Sequence, residues 1–329
     1  MIDRRVFVAS AAAVLWPRLS ARAQPAGKVY RLGVLSPGVR PTPTAPVVSN
    51  LLPSSLREMG WVLDQNLVVE HRFADAKPDQ LQKMADELVR LQPDVLVAAS
   101  PIAIQAVKRA TKTIPIVMVL AYSDPVELGF VASFARPGGN LTGVLMAAER
   151  TMAAKRVELI KAAVPRAARL AVLTTAEPSS RTQAREALKA ATALGMKLMV
   201  VELREGDYDR AFTTMVADGA DSLLLVESVT LTSERERIIE LAARHRLPAM
   251  YTWREQVEAG GLMAYGGSIS ALARRVAVYV DRIFRGANPA GMPVERETAF
   301  SLVINVKTAK ALGLTIPPAV LARADQVIE

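Results

Sequence analysis

The sequence predicts an α/β protein made of two similar lobes, each built on a parallel sheet. The first observation behind this is an internal repeat. DVLVAAS (94–100) is followed by a helical stretch and then Ile114-Pro115 and IVMVL. DSLLLVES (221–228) is likewise followed by a helical stretch, then Leu247-Pro248 and AMYTW. The second is a matched pair upstream. Leu56 to Gly60 precedes LVVEHR (67–72), and Ala193-Leu194-Gly195 precedes LMVVELR (198–204). The third is strict alternation of short apolar runs with amphipathic stretches, the pattern of parallel strands joined by right-handed helical crossovers.

Each element follows from its residues. YRLGVL (30–35) is a near-continuous apolar run, as in a strand buried on both faces. After the Pro/Gly-rich loop 36–46, a helix runs to Gly60, a residue suited to a C-terminal cap. LVVEHRF (67–73), VLVAA (95–99), IPIVMVL (114–120) and LTGVLM (141–146) are further strands. Helices are expected from Asp79 to Leu91, after Pro101, and from Pro125 to Arg136, since proline is favoured in a first helical turn. Residues 136–140 (RPGGN) read as a turn, because no Gly-Lys-Ser/Thr or helix start follows to make a phosphate loop. In the second half the strands are 169–175, 198–203, 222–227, 248–252 and 261–266. Helices fill 152–163, 178–193, 207–217 and 232–246. A long helix over 269–285 places Leu272, Val276, Tyr279, Val280 and Ile283 on one face. FSLVIN (300–305) and a short helix close the chain. The expected division is a first lobe over 24–145, completed by part of 266–300, and a second lobe over 146–265. Residues 301–329 are expected to pack across both.

Composition narrows the function classes. The chain has 329 residues and is 51% hydrophobic, enough for two cores. Its formal charge is +9, of which residues 1–23 hold +3 through Arg4, Arg5, Arg18 and Arg22 against Asp3. The remaining positive charge is dispersed and aromatics are 5%, which argues against a nucleic-acid groove. The segment 1–23 reads as a signal peptide. Arg4-Arg5 lead an apolar run too short to span a bilayer, and Ala21-Arg22-Ala23 suits a signal peptidase. The Arg pair also fits a twin-arginine signal. There is no cysteine, hence no disulfide or lipid-anchored thiol. The two histidines, His71 and His245, lack metal-ligand partners at useful spacing, and no nucleophile elbow or Gly-rich cofactor motif occurs. No catalytic residue, metal or cofactor is therefore assigned.

In open parallel sheets, ligands bind beyond the carboxyl ends of the strands. Those ends place Ser36, Pro37, Ser100, Tyr122, Ser123 and Asp124 on one wall of an interlobe cleft. Thr174, Thr175, Glu227, Ser228 and Tyr251 to Trp253 fall on the other, with Tyr265 near the crossing between lobes. Hydroxyls at helix starts suit an anionic group, and equally serve as N-caps of their own helices. Asp124 or Glu227 suits a ligand ammonium, or is a loop carboxylate in water. The aromatic residues suit a planar or aliphatic ligand, or pack the lobes together.

The stretches 56–97, 113–144, 240–267 and 302–329, above all DPVELGFVASFARPGGNLTG (124–143), resemble the ABC-transporter substrate-binding proteins of the tryptophan/tyrosine-binding type. The resemblance implies a type I periplasmic-binding fold, two Rossmann-like lobes that close on a small solute, in a periplasmic protein; a monomer is the expected state. It also implies delivery of the solute to an ABC permease and its ATPase. Carried over position by position, the matching positions are Ser36, Ser100, Tyr122, Asp124, Thr175, Glu227, Tyr251 and Tyr265, and Ser228, from the strand-end rule, completes the expected solute-binding set. YTWREQV (251–257) and TTAEPSS (174–180) depart from the usual family pattern, and both fall at the expected cleft. The solute is therefore left open between an amino acid and an aromatic or carboxylate compound. A ligand-sensing domain for a signalling receptor, or an enzyme on the same scaffold, are the alternatives.

Overall fold

The computed structural model describes residues 27–42, 47–75, 77–121, 123–146, 152–204, 206–297 and 299–329. The expected signal segment lies outside them. In chain order the elements are β1 (Tyr30–Ser36), α1 (Val48–Arg57), β2 (Leu67–Phe73), α2 (Leu81–Arg90), β3 (Val95–Ala99), α3 (Pro101–Ala110), β4 (Ile116–Ala121) and β5 (Leu141–Met146). Then come α4 (Met152–Ala163), β6 (Arg169–Thr174), α5 (Pro178–Ala193), β7 (Lys197–Glu202), α6 (Tyr208–Ala217), β8 (Ser222–Leu225), α7 (Val229–Ser233) and α8 (Arg235–Arg244). The chain closes with β9 (Ala249–Tyr251), α9 (Arg254–Glu258), β10 (Met263–Gly266), α10 (Ile269–Phe284), β11 (Glu295–Glu297), β12 (Ser301–Asn305), α11 (Val306–Ala311), α12 (Pro318–Leu321) and β13 (Gln326–Ile328).

The repeat in the sequence is a repeat of topology. One sheet runs β11-β5-β4-β3-β1-β2, and the other runs β13-β12-β10-β9-β8-β6-β7. Read from the far edge, β2-β1-β3-β4-β5 in one lobe matches β7-β6-β8-β9-β10 in the other. The repeated aspartate does the same work in both. Asp94 accepts from the Arg31 backbone N–H at 2.8 Å and returns its own N–H to Arg31 O at 2.8 Å. Asp221 accepts from the Ala168 and Arg169 N–H groups at 2.7 and 3.0 Å, and donates to Arg169 O at 3.0 Å. Each thus locks the start of the third strand of its lobe to the first.

The pairs are parallel except β10–β12, which is antiparallel. After β10 the chain returns to the first lobe as α10, which packs on α1, and β11 then adds to β5. Residues 301–329 differ from the expectation. Rather than packing across both lobes, β12 pairs with β10 and β13 with β12, so the segment belongs to the second sheet. The reason is burial: Leu302, Val303 and Ile304 complete the second lobe's apolar core. The first sheet is covered on one face by α1 and α10 and on the other by α2 and α3, each face with its own apolar cluster.

The helix expected after Pro125 does not form. Asp124 Oδ1 accepts from Val126 N at 2.7 Å, and Leu128 N donates to Asp124 O at 3.0 Å, giving one turn. Gly129 then takes a φ of 63°, and Phe130 N reaches back to Pro125 O, which ends helical propagation.

Where β9 and β10 lead to the cleft, backbones approach closely. A Cβ at Gly266 would lie 1.7 Å from Thr252 O. Gly266→Ala must push apart two paired strand ends and is expected to cost about 3 kcal/mol or more. Urea unfolding of the variant measures it, and a loss under 1 kcal/mol would contradict this packing.

Candidate functional site

The carboxyl ends of both sheets face one cavity of about 100 Å³, several times the space a single water needs. Val34, Phe73, Val97, Val119, Met146 and Leu272 make its first-lobe wall largely apolar, with hydroxyls from Ser36, Ser49 and Ser100. The second lobe supplies Glu177, Ser179, Glu227, Ser228, Thr232, Ser233 and Trp253. No Lys, Arg or His is among the described lining residues. The lobes touch at the rim, where a Cβ on Gly38 would stand 2.6 Å from Ser233 Oγ and 3.3 Å from Val229 O. Trp253 reaches further and packs in the first lobe's apolar cluster with Val34, Val119 and Ile269.

Two buried glutamines hold the second wall. Gln183, on α5, accepts from Glu227 N at 2.7 Å and donates to Glu227 O at 3.0 Å. Gln256, on α9, accepts from Thr252 N and Trp253 N, each at 3.0 Å. Each amide satisfies backbone groups freed where a strand leaves its ladder, and so fixes the bend that presents Glu227 or Trp253.

Glu227, two residues past the end of β8, is half-buried in the cavity wall, and desolvation pushes its carboxyl from an ordinary 4.5 to about 7. Buried Arg156, on α4, pulls in the opposite direction, as do Thr252 and Trp253, while Glu177 adds repulsion. Arg156 itself is held by a 2.7 Å bond from Nε to Tyr265 O. The Trp253 indole N–H favours the charged form of Glu227 by proximity but makes no hydrogen bond of normal geometry. Glu177 is likewise raised to about 7, by burial first, with its hydrogen bond to Ser179 opposing.

Two further polar atoms matter. Ser228 Oγ and Trp253 Nε1 have no hydrogen-bond partner, though their residues are only 3% and 5% exposed. Ser228 stands at the start of α7 yet makes no capping bond. Buried polar groups are nearly always paired, which makes both atoms candidate contacts for a polar group in the cavity.

Of the residues anticipated from sequence, the cavity brings together Ser36, Ser100, Glu227 and Ser228. Ser100 is also the N-cap of α3, at a strained φ of 84° for a side-chain-bearing residue. Thr175 is bonded to Ser180 Oγ at 2.9 Å and lines a neighbouring cavity instead. Asp124 is placed outside the cavity lining, where its carboxylate caps the 125–128 turn. Tyr251 is placed in the second-lobe core, where burial raises its phenol well above the usual range. Tyr265 lies against that core and Phe300, not in the cavity lining. Tyr122 lies outside the described residues. Glu177, Gln183 and Gln256 were not singled out. The polar Thr-Thr-Ala-Glu-Pro-Ser-Ser segment was the one sequence signal for Glu177.

Two duplicated α/β lobes closing on a cavity at their strand ends define a two-lobed solute-binding protein of type I periplasmic-binding architecture. The chain belongs to the ABC transporter substrate binding protein family, whose model matches residues 50–328. It is similar to a conserved domain protein from Vibrio cholerae O1 biovar El Tor (29% identity, 91% of this chain and 100% of that one, TM-score 0.77). It is also similar to an ABC domain from Streptococcus pneumoniae solved with L-Trp (27% identity, 92% and 100% covered, TM-score 0.76). A protein described as a tyrosine-binding protein, from Clostridioides difficile strain R20291, is 25% identical over 262 residues, covering 79% of this chain and 74% of that protein.

Because both carboxyls titrate near 7 when folded but near 4.5 when unfolded, the folded chain holds more protons between those values. Ligand-free stability therefore falls as pH rises through that window. Thermal unfolding should show a lower Tm at pH 8 than at pH 5, with Glu227→Gln flattening the difference. An unchanged pH slope in the variant would count against a raised carboxyl at Glu227.

Proposed function

We propose that this protein is the exported, periplasmic component of an ABC importer, acting as a monomer without turnover. Its cargo is a small solute with an ammonium group and a compact apolar body, passed to a membrane permease. One observation carries the choice of cargo: two carboxyls face a cavity lined otherwise by apolar side chains and hydroxyls, with no basic side chain in its described lining. Arg156 offsets one of them from behind, leaving a site that favours an incoming cation. The hydroxyls and the N-terminal ends of α1 and α3 suit a carboxylate at the other end of the same solute. An apolar or aromatic amino acid meets both demands, in keeping with the L-Trp complex and the tyrosine-binding protein among its relatives. Both cleft walls come from one chain, which supports a monomer. Export is supported by the family and by the composition of residues 1–23. Among the described residues no helix is long and apolar enough to cross a membrane.

Calorimetry and thermal shift against amino acids, amines and aromatic acids test the reading. One solute per chain is expected. A solute at 100-fold over its Kd should add about 2.7 kcal/mol of stability. Amine-bearing solutes should bind and benzoate should not. Equal binding of benzoate and an aromatic amino acid would overturn the choice of cargo.

Glu227→Gln is expected to weaken binding of that solute at least about tenfold at pH 8. At pH 6 the wild-type protein should release protons on binding, because an ammonium beside Glu227 lowers its pKa. Binding heats measured in buffers of different ionisation enthalpy read this directly, and no buffer dependence would exclude Glu227 as the anchor.

A further inference from the structure

A second cavity, of about 170 Å³, adjoins the first and also lies between the lobes. Pro37 and Ile102 come from the first lobe, and Thr175, Ala176, Glu177 and Thr230 from the second. Glu177 borders both cavities. Three strand-end segments also pass from one to the other. Ser36 lines the first cavity and Pro37 the second; Ser100 and Pro101 line the first and Ile102 the second; Ser228 and Val229 line the first and Thr230 the second. The two spaces are thus consecutive along the same seam, with a carboxyl at their boundary.

We infer that the second cavity is a subsite for the same solute: it takes an apolar arm on the far side of the solute's ammonium from the group held in the first cavity. The inference rests on the solute-binding reading above. It narrows the cargo to molecules in which one amine carries two apolar arms, or in which an amino-acid-like head is extended by a second apolar unit. A head group alone fills only the first space. The side chains bordering the second space are mainly apolar: two prolines in addition to Pro37, Leu203, Ile102 and Ala176, with hydroxyls only from Thr175 and Thr230. Thr175 already bonds Ser180, so it asks little of a ligand. A plain hydrocarbon or aromatic arm therefore suits this space better than a charged one.

Isopentylamine and N-butylisopentylamine, equal in charge and differing by one arm, test this by calorimetry on the mature chain. Binding of the short amine reports the earlier reading, and the difference between the two reports this one. Each methylene entering the second cavity should tighten binding roughly fourfold, so the longer amine should bind at least about tenfold more tightly. Ala176 is exposed and borders only the second cavity. Ala176→Trp should erase the advantage of the longer amine, and Ala176→Leu should reduce it, while the Kd of the short amine stays within about twofold. Equal affinity of the two amines for the wild-type chain would overturn the inference. So would a full advantage of the longer amine that survives Ala176→Trp.

Discussion

The cleft depends on one costly arrangement, a carboxyl group drawn out of water just past the end of a buried strand. Desolvation of Glu227 disfavours its charged form, and under the function proposed above that cost is what an ammonium-bearing guest relieves. Much of the second wall is organised around it. Gln183 clamps its backbone, Gln256 fixes the neighbouring bend that brings Trp253 beside it, and Arg156 is held below by Tyr265 O. Such preorganisation places the entropic cost of ordering the site in folding rather than in binding.

The two walls divide the work unequally, although the scaffold is duplicated. The first lobe contributes a smooth apolar surface with serine hydroxyls, and the second contributes the carboxyls and the unpaired Ser228 and Trp253 donors. The duplication survives where it is structural, in the matched strand order and in the Asp94 and Asp221 locks. It is lost at the strand ends. Identical lobes would present a nearly symmetric cavity, whereas these discriminate one end of a guest from the other.

The fold was legible because parallel strands buried on both faces leave long apolar runs, and the repeat shows each run twice. The last segment was not, because whether 301–305 joins one sheet or bridges two depends on which apolar face remains uncovered, and that is a property of the folded lobe. At the site, the rule of strand ends located Ser36, Ser100, Glu227 and Ser228 beside the cavity. It could not resolve parity: Tyr251 ends β9 pointing into the core, and Trp253, two residues on, turns into the cleft after the bend held by Gln256. At Asp124 local chemistry outweighed position: its carboxylate caps the turn that replaces the expected helix. Glu177 owes its environment to two lobes meeting, which no local pattern encodes.

The insertion of Trp253 into the opposite lobe has a consequence for how tightly any guest is held. Parting the lobes draws a large indole out of the first lobe's apolar cluster and into water, a cost set by hydrophobic burial and not by the guest. That cost applies whether the cleft is empty or filled, so it works against opening in both states. One side chain therefore bears both on how hard the lobes are to part, through its ring in the first lobe, and on what a guest meets, through its N–H in the cavity wall.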